Sequence, residues 1–304
     1  MKFKRLAAVD ETRVNEAGRG ALAELAETAV FYPGEPKDEA ELLGRMAGAD
    51  GVLVSWKTPI PGRVIEKCPE LRYIGMCCSL YGEDSANVDI RACRERGIAV
   101  TGIFDYGDDG VVEFIIAELV RLLHGFGEHQ WRGEPHELSA LRVGIVGLGT
   151  VGRMLARALR FFKAEVYYYS RTRKPDAEAE GIAYLPLAEL LKTCDCVSTH
   201  LPKNTFLLGE REFDAFGDGK ILINTAIGPS FDAAALERWL RRGNNYYICD
   251  RVAAMNWELP DAPGVLMANK GSGGSAEEVR RLSKKVVENA RAFLAGPSAG
   301  QSRP

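Results

Sequence analysis

One glycine pattern has spacing that can do chemistry: Gly147-Leu148-Gly149-Thr150-Val151-Gly152. It directly follows an apolar run, Val143 to Val146, and directly precedes an amphipathic stretch. In that setting the first glycine permits a tight turn, the second lets backbone approach a pyrophosphate, and the third lets helix pack on strand. The helix N-terminus then faces the anion. The pattern therefore predicts a dinucleotide site. The next strand ends in Tyr169-Ser170-Arg171-Thr172-Arg173-Lys174. An NAD site normally places a carboxylate there to hold the ribose 2′-hydroxyl. Here Ser170 and Thr172 offer hydroxyls, and Arg171 and Arg173 can fork onto a 2′-phosphate, which favours NADP(H) over NAD(H).

Such a site needs strands and helices in alternation, and the hydrophobic periodicity supplies them. Arg5 to Val9, Ala29 to Tyr32, Gly51 to Ser55, Tyr73 to Cys77 and Ile98 to Thr101 read as strands. Helices are expected near Val14 to Glu27, Asp38 to Met46 and Val88 to Arg96. Asp109 to His124 reads as a long helix, and Gly125 to Ser139 as an excursion before the strand Leu141 to Val146. Further strands are expected at Glu165–Tyr169, Cys194–Thr199, Lys220–Asn224, Tyr246–Cys249 and Val265–Ala268. The helices Val151–Phe162, Leu187–Lys192 and Asp232–Arg242 fall between them. The fold class is thus α/β, with two Rossmann-like domains, parallel sheets and a cleft between them. Residues 1–103 plus 275–304 form a flavodoxin-like, substrate-binding domain and 104–274 the NADP-binding domain. The Gly-, Ser- and Pro-rich end, Gly296 to Pro304, is expected to fray.

Composition narrows the classes. At 304 residues, 46% hydrophobic and 27% charged, the chain can bury two cores and is unlike a disordered chain. Its net charge of −3, without a long basic stretch, gives phosphate-backbone attraction little to act on, so nucleic acid is not an expected partner. No apolar run reaches the roughly 18 residues of a membrane span, and Met1 to Asp10 lacks the apolar core of a signal peptide. Seven irregularly spaced cysteines (68, 77, 78, 93, 194, 196 and 249) read as reduced thiols, so the expected location is cytoplasmic. Cys194-x-Cys196 with His200 has a superficially metal-like spacing. Strand alternation puts both thiols on one face and no fourth ligand follows, so both are read as core and no metal is expected.

The second domain resembles the D-isomer-specific 2-hydroxyacid dehydrogenase family, in particular its NADP(H)-using glyoxylate and hydroxypyruvate reductase-like branch. The resemblance rests on the glycine pattern, Tyr169 to Pro175, Val197-Ser-Thr-His-Leu-Pro202, Ile221-Leu-Ile-Asn-Thr-Ala226 and Cys249-Asp250. Upstream it includes Asn87-Val-Asp89 and Gly110 to Phe114. It implies hydride transfer on a small polar substrate and a homodimer formed largely through the cofactor domain. It also implies that His200, Leu201 and Pro202 line the cofactor site, that the Thr225–Ala226–Ile227 backbone approaches the nicotinamide, and that Asp250 fixes its carboxamide.

The family's catalytic Arg, Glu and His are replaced. Ile227 in Asn224-Thr-Ala-Ile-Gly-Pro229 takes the Arg position and Met255 the Glu position, with Glu258 the nearest carboxylate. Asn269-Lys270-Gly-Ser-Gly-Gly274 replaces the segment with the His. No His follows His200, so only His124, His129 or His136 could substitute. Lys270 is the best-placed alternative, as proton donor or as clamp for an anionic substrate. In the first domain Gly75 to Asn87 is the loop expected to bind substrate, with Ser79 and Tyr81 as contacts. Lys57 and Tyr106 are further catalytic candidates. Two other readings stay open. One is reduction of an imine or conjugated acceptor, which needs less acid assistance; the other is a noncatalytic NADP(H)-binding homologue acting as sensor or partner-binding protein.

Overall fold

A computed structural model describes residues 1–203, 205–254, 258 and 261–296. Met255 and the chain beyond Gly296, both singled out above, lie outside them. The chain divides into two units, Met1–Tyr106 with Ser275–Pro304, and Gly107–Gly274. Both are Rossmann-like α/β domains, and all strand pairings among the described residues are parallel.

The first unit runs β1 (Phe3–Ala8), α1 (Glu16–Ala23), β2 (Ala26–Phe31), α2 (Glu39–Met46), β3 (Gly51–Val54), α3 (Gly62–Ile65), β4 (Tyr73–Met76), α4 (Ile90–Glu95) and β5 (Ala99–Thr101). The strand order is β2-β1-β3-β4-β5, the flavodoxin-like arrangement. Side-chain alternation splits the core. Val52 and Val54 pack with Leu42, Met46 and Ile65 on one face, while Phe3, Leu6, Leu53 and Tyr73 pack on the other.

In the second unit α5 (Asp108–His124) leads to β6 (Arg142–Val146), α6 (Thr150–Phe161), β7 (Glu165–Tyr169), α7 (Pro175–Ala179), β8 (Ala183–Tyr184), α8 (Leu187–Thr193) and β9 (Cys196–Thr199). Then follow α9 (Glu210–Phe216), β10 (Ile221–Asn224), α10 (Ala233–Arg241), β11 (Tyr246–Asp250) and β12 (Val265–Ala268). The chain returns to the first unit as α11 (Ala276–Ala295), which packs Leu282, Val286 and Ala290 against Phe3 and Tyr73. The second sheet has the order β12-β11-β10-β9-β6-β7-β8, so strand order reverses between β6 and β9. Central strands β9 and β10 are buried at every position: β10 reads as the apolar run Ile221 to Ile223 closed by Asn224, while β9 buries Ser198 and Thr199 after Cys196 and Val197.

Three sequence expectations shift. The first helix stops at Ala23, and β2 begins at Ala26 because Ala26 pairs with Phe3 in the sheet; Leu25 to Glu27 are not helical. Cys194 is not in a strand. It follows α8 as its cap, its N–H donating to Leu190 O, and only Cys196 belongs to β9, although both thiols are fully buried. The short α3, α7 and β8 carry too few residues for periodicity to reveal them, and α9 is a further helix outside the sequence expectations.

Candidate functional site

In open parallel sheets ligands bind beyond the carboxyl ends of the strands, at the point where strand order reverses. The glycine loop lies there. Gly147 adopts φ +95°, and a Cβ on it would stand 2.4 Å from the His200 carbonyl oxygen, so the loop after β6 presses directly on the end of β9. A Cβ at Gly152 would stand 2.3 Å from the Gly147 oxygen; the missing side chain is what lets α6 pack on the turn. Gly149 differs, because a Cβ there meets nothing within 4 Å. Gly149 is also the N-cap of α6, and no side chain caps the helix. Uncapped N–H groups facing open ground fit a pyrophosphate. Leu148, Thr150 and Val151 complete the turn, and Leu148 N–H donates to Ser170 Oγ at 2.9 Å, tying it to the end of β7.

The basic turn is only partly free. Arg171, Thr172 and Arg173 are exposed. Arg173, however, is paired through both Nε and Nη2 with Glu178 of α7, the Nε bond being 3.0 Å, and its guanidinium lies 5.1 Å over the Tyr184 ring.

At the end of β9 the His200 N–H donates to Val146 O, and its Nε2 shares a hydrogen bond with Ser198 Oγ at 2.9 Å. Burial pushes its pKa down to about 4, so the imidazole is neutral near pH 7. Leu201 is half-buried and Pro202 exposed. After β10, the buried Asn224 shapes the next loop. Its Oδ1 accepts from Ala226 N–H at 3.1 Å and from Thr199 Oγ1, and its Nδ2 donates to Gly228 O at 2.9 Å. Thr225, Ala226 and Ile227 are thereby held half-buried in the turn.

Asp250, 1% exposed at the end of β11, accepts from Ala253 N–H (2.8 Å), Ser272 N–H (2.6 Å) and Ser272 Oγ (2.7 Å). These bonds leave about one acceptor position for the nicotinamide carboxamide that the resemblance assigns to it. Three of its roughly four acceptor positions hold this chain's own loops. Those bonds, with Arg251 N–H donating to Lys270 O, fix residues 270–274 beyond β12. The same loop packs on the start of α5, where a Cβ at Gly110 would stand 2.9 Å from Ser272 O. Lys270 is exposed on it, and its ammonium makes no ion pair among the described residues.

The other histidines sit at the opposite end of the sheet. Tyr246 Oη at the start of β11 donates to Gln130 O, and Trp131 Nε1 to Gly219 O just before β10. His129 meets the Tyr246 ring and His136 the Trp131 ring, while His124 ends α5 beside Phe126. Chain order alone leaves these three open as substitute acids; His129 and His136 lie beside the amino ends of β11 and β10, away from the glycine turn.

Within the first unit Tyr106 and Ser79 come together through a hydrogen bond, and burial raises the Tyr106 phenol well above its usual range. Tyr81 is 73% exposed and meets Phe104 edge-on at 5.4 Å. Lys57 is committed elsewhere, its Nζ lying 2.8 Å from Glu35 Oε1. The sequence reading missed Asn224 and Ser272. An Asn that closes a strand two residues before a turn amide is a recognisable signal, whereas Ser272 becomes visible only through its contact with Asp250. No group of three or more His, Cys, Asp or Glu side chains suited to a metal occurs among the described residues, and no described helix is long and apolar enough to cross a membrane.

A dinucleotide-type glycine turn at a sheet reversal, on the second of two α/β domains that each have a parallel sheet, defines a dinucleotide-binding architecture. Residues 116–256 match the family model for the D-isomer specific 2-hydroxyacid dehydrogenase NAD binding domain. The chain is 32% identical over 308 residues to a glyoxylate reductase of Thermococcus gammatolerans, covering 93% of this chain and 91% of that protein. It is 30% identical over 300 residues to a hydroxypyruvate reductase of Blautia hydrogenotrophica, covering 90% and 91%. Among solved structures, the TT0316 protein of Thermus thermophilus superposes with a TM-score of 0.82 at 28% identity, over 97% of this chain and 98% of that one. An acyclic imino acid reductase in complex with NADPH and D-Arg superposes with a TM-score of 0.81 at 22% identity over the same shares, a likeness of fold. The chain belongs to the D-isomer specific 2-hydroxyacid dehydrogenase family and is an oxidoreductase.

Proposed function

We propose that the chain is an NADP(H)-dependent reductase of a small polar, anionic acceptor in which Lys270 supplies the positive charge that the family's Arg and His supply elsewhere. The observation that carries this reading is the pinned loop. Asp250 and the Arg251 amide hold residues 270–274 at the carboxyl end of the sheet that bears the glycine turn, with the Lys270 ammonium free of ion partners among the described residues.

When bound, the nicotinamide supplies or takes a hydride. Gly147 to Gly152 would seat its pyrophosphate, Ser170 to Arg173 its ribose phosphate, and the loops after β9 and β10 its nicotinamide end. On reduction the substrate carbon gains the hydride and the heteroatom gains a proton. His200, neutral near pH 7, is no reservoir for that proton, and Ile227 offers no donor. Lys270 can give it or hold the substrate anion in place. The named relatives reduce glyoxylate and hydroxypyruvate, which makes 2-oxo acids the first acceptors to try. The replaced Arg and His support a second reading, an iminium acceptor that already carries its proton. Seven buried free cysteines suit a reducing, cytoplasmic setting, and the family suggests a homodimer.

The test is NADPH oxidation against 2-oxo acids and imines, with Lys270→Ala and Lys270→Arg. The Ala variant is expected to lose about 10²- to 10⁴-fold in kcat/KM. Arg restores an anion clamp but not a proton donor, so the pair separates the two roles. Cofactor binding without turnover of any acceptor would point to the noncatalytic homologue, and an unaffected Lys270→Ala enzyme would sink the assignment.

A further inference from the structure

The basic turn after β7 holds more charge than it can present. Helix α7 and the residue after it carry Asp176, Glu178 and Glu180, and each carboxylate is engaged by an arginine. Asp176 takes Arg153 at 2.6 Å, Glu180 takes Arg157 through two bonds of 2.6 and 2.7 Å, and Glu178 takes Arg173. Glu178 does further work, since Tyr168 Oη donates to its Oε1 at 2.8 Å while accepting the Lys174 N–H at 2.6 Å. Arg173 is thus paired with Glu178, stacked on Tyr184 and linked through Glu178 and Tyr168 to the Lys174 amide of its own turn. Arg171 is exposed, and its guanidinium has no partner among the described residues. It lies between Thr172 and Ser170, and Ser170 Oγ is the atom that receives the Leu148 amide of the glycine loop. Lys174 is also unpaired at its ammonium, but a point charge lacks the planar fork that matches phosphate.

Resting on the NADP(H) reading above, in which Arg171 is the free guanidinium that meets the 2′-phosphate, we propose that Glu178 is a specificity-setting residue. By occupying Arg173 as an internal anion, Glu178 limits how strongly the phosphorylated cofactor is preferred. Arg173 is a positioning residue. Glu178→Gln keeps an acceptor for Tyr168 and removes the competing charge, which releases the Arg173 fork toward the phosphate.

The experiment is direct binding of NADPH and NADH, by fluorescence or calorimetry, to the full chain and to Arg171→Ala, Arg173→Ala, Glu178→Gln and the double variant Glu178→Gln/Arg173→Ala. The wild-type ratio tests the underlying reading: equal affinities for the two cofactors would overturn it and this inference with it. If NADPH is preferred, Arg171→Ala is expected to weaken NADPH about 10- to 100-fold and leave NADH within about 2-fold. Arg173→Ala should cost under about 3-fold, and Glu178→Gln should tighten NADPH about 3-fold, a gain that vanishes in the double variant. An Arg173→Ala loss as large as that of Arg171→Ala, or weaker NADPH binding by Glu178→Gln with NADH unchanged, would overturn the assignment while leaving the NADP(H) reading intact. Parallel weakening of both cofactors by Glu178→Gln would show that it only holds the turn, and would overturn its specificity role.

Discussion

Gly149 and Gly152 are three residues apart in one motif, yet the structure assigns them opposite failures when each is changed to Ala. At Gly149 the added methyl meets nothing within 4 Å, and the backbone (φ −83°, ψ −159°) is one any residue adopts. Losing a glycine N-cap costs about 0.5 kcal/mol, and the stiffer unfolded chain returns about as much. The melting temperature should therefore stay within about 2 °C. That open ground is, however, where backbone must approach the pyrophosphate. Forcing the anion back weakens at least one charge-assisted bond from the helix N-terminus, about 1.5–3 kcal/mol, or roughly 10- to 100-fold in Kd. At Gly152 the methyl would meet the Gly147 oxygen at 2.3 Å and Ile145 Cγ2 at 3.0 Å, both in the packed interior, so overpacking should cost about 1–3 kcal/mol. Calorimetric melting with NADPH titration separates the two effects. A Gly149→Ala protein that binds NADPH within 2-fold of wild type would refute the placement of the cofactor, whatever its melting temperature.

Two further outcomes follow from the same sheet ends. His200 titrates at about 4 when folded against an ordinary value of 6.5, so between those values the unfolded chain takes up a proton that the folded chain refuses. Stability should fall as pH drops through that window, and His200→Gln should flatten the decline in melts run from pH 7 to 4.5. Asp250→Asn should release the Ser272 amide and hydroxyl. Hydrogen exchange at Ser272 should quicken and kcat/KM fall about 10-fold, with little change in NADPH affinity; an equal loss of cofactor binding would mean that Asp250 acts on the nicotinamide after all.

What the sequence disclosed and what it hid divide along a physical line. Strands β6, β9, β10 and β11 were legible because a parallel strand covered on both faces has no polar alternation. The glycine turn was legible because its geometry is local: a positive φ at Gly147 and two close approaches within a few residues. Charge was not legible. Nothing in the order of residues shows that Lys57 is neutralised by Glu35 or that Arg173 is neutralised by Glu178 across a five-residue helix too short to announce itself. Nor does chain order show which end of the sheet a histidine occupies, and that end sets His129 and His136 apart from the glycine turn.

That line also bears on the missing Arg and His. On the proposed reading Ile227 and Lys270 stand where the family's Arg and His would act, and the loops that present those positions are built. Asn224, fully buried, uses its carboxamide to shape residues 226–228, and Asp250 is buried with its bonds going to residues 253 and 272. A buried polar group is costly unless donors meet it, and for Asp250 they come from the Ala253 amide and from the Ser272 amide and hydroxyl of the loop carrying Lys270. The bonds at Lys270 O and Ser272 fix the backbone that carries Lys270, as the proposed role for its ammonium requires.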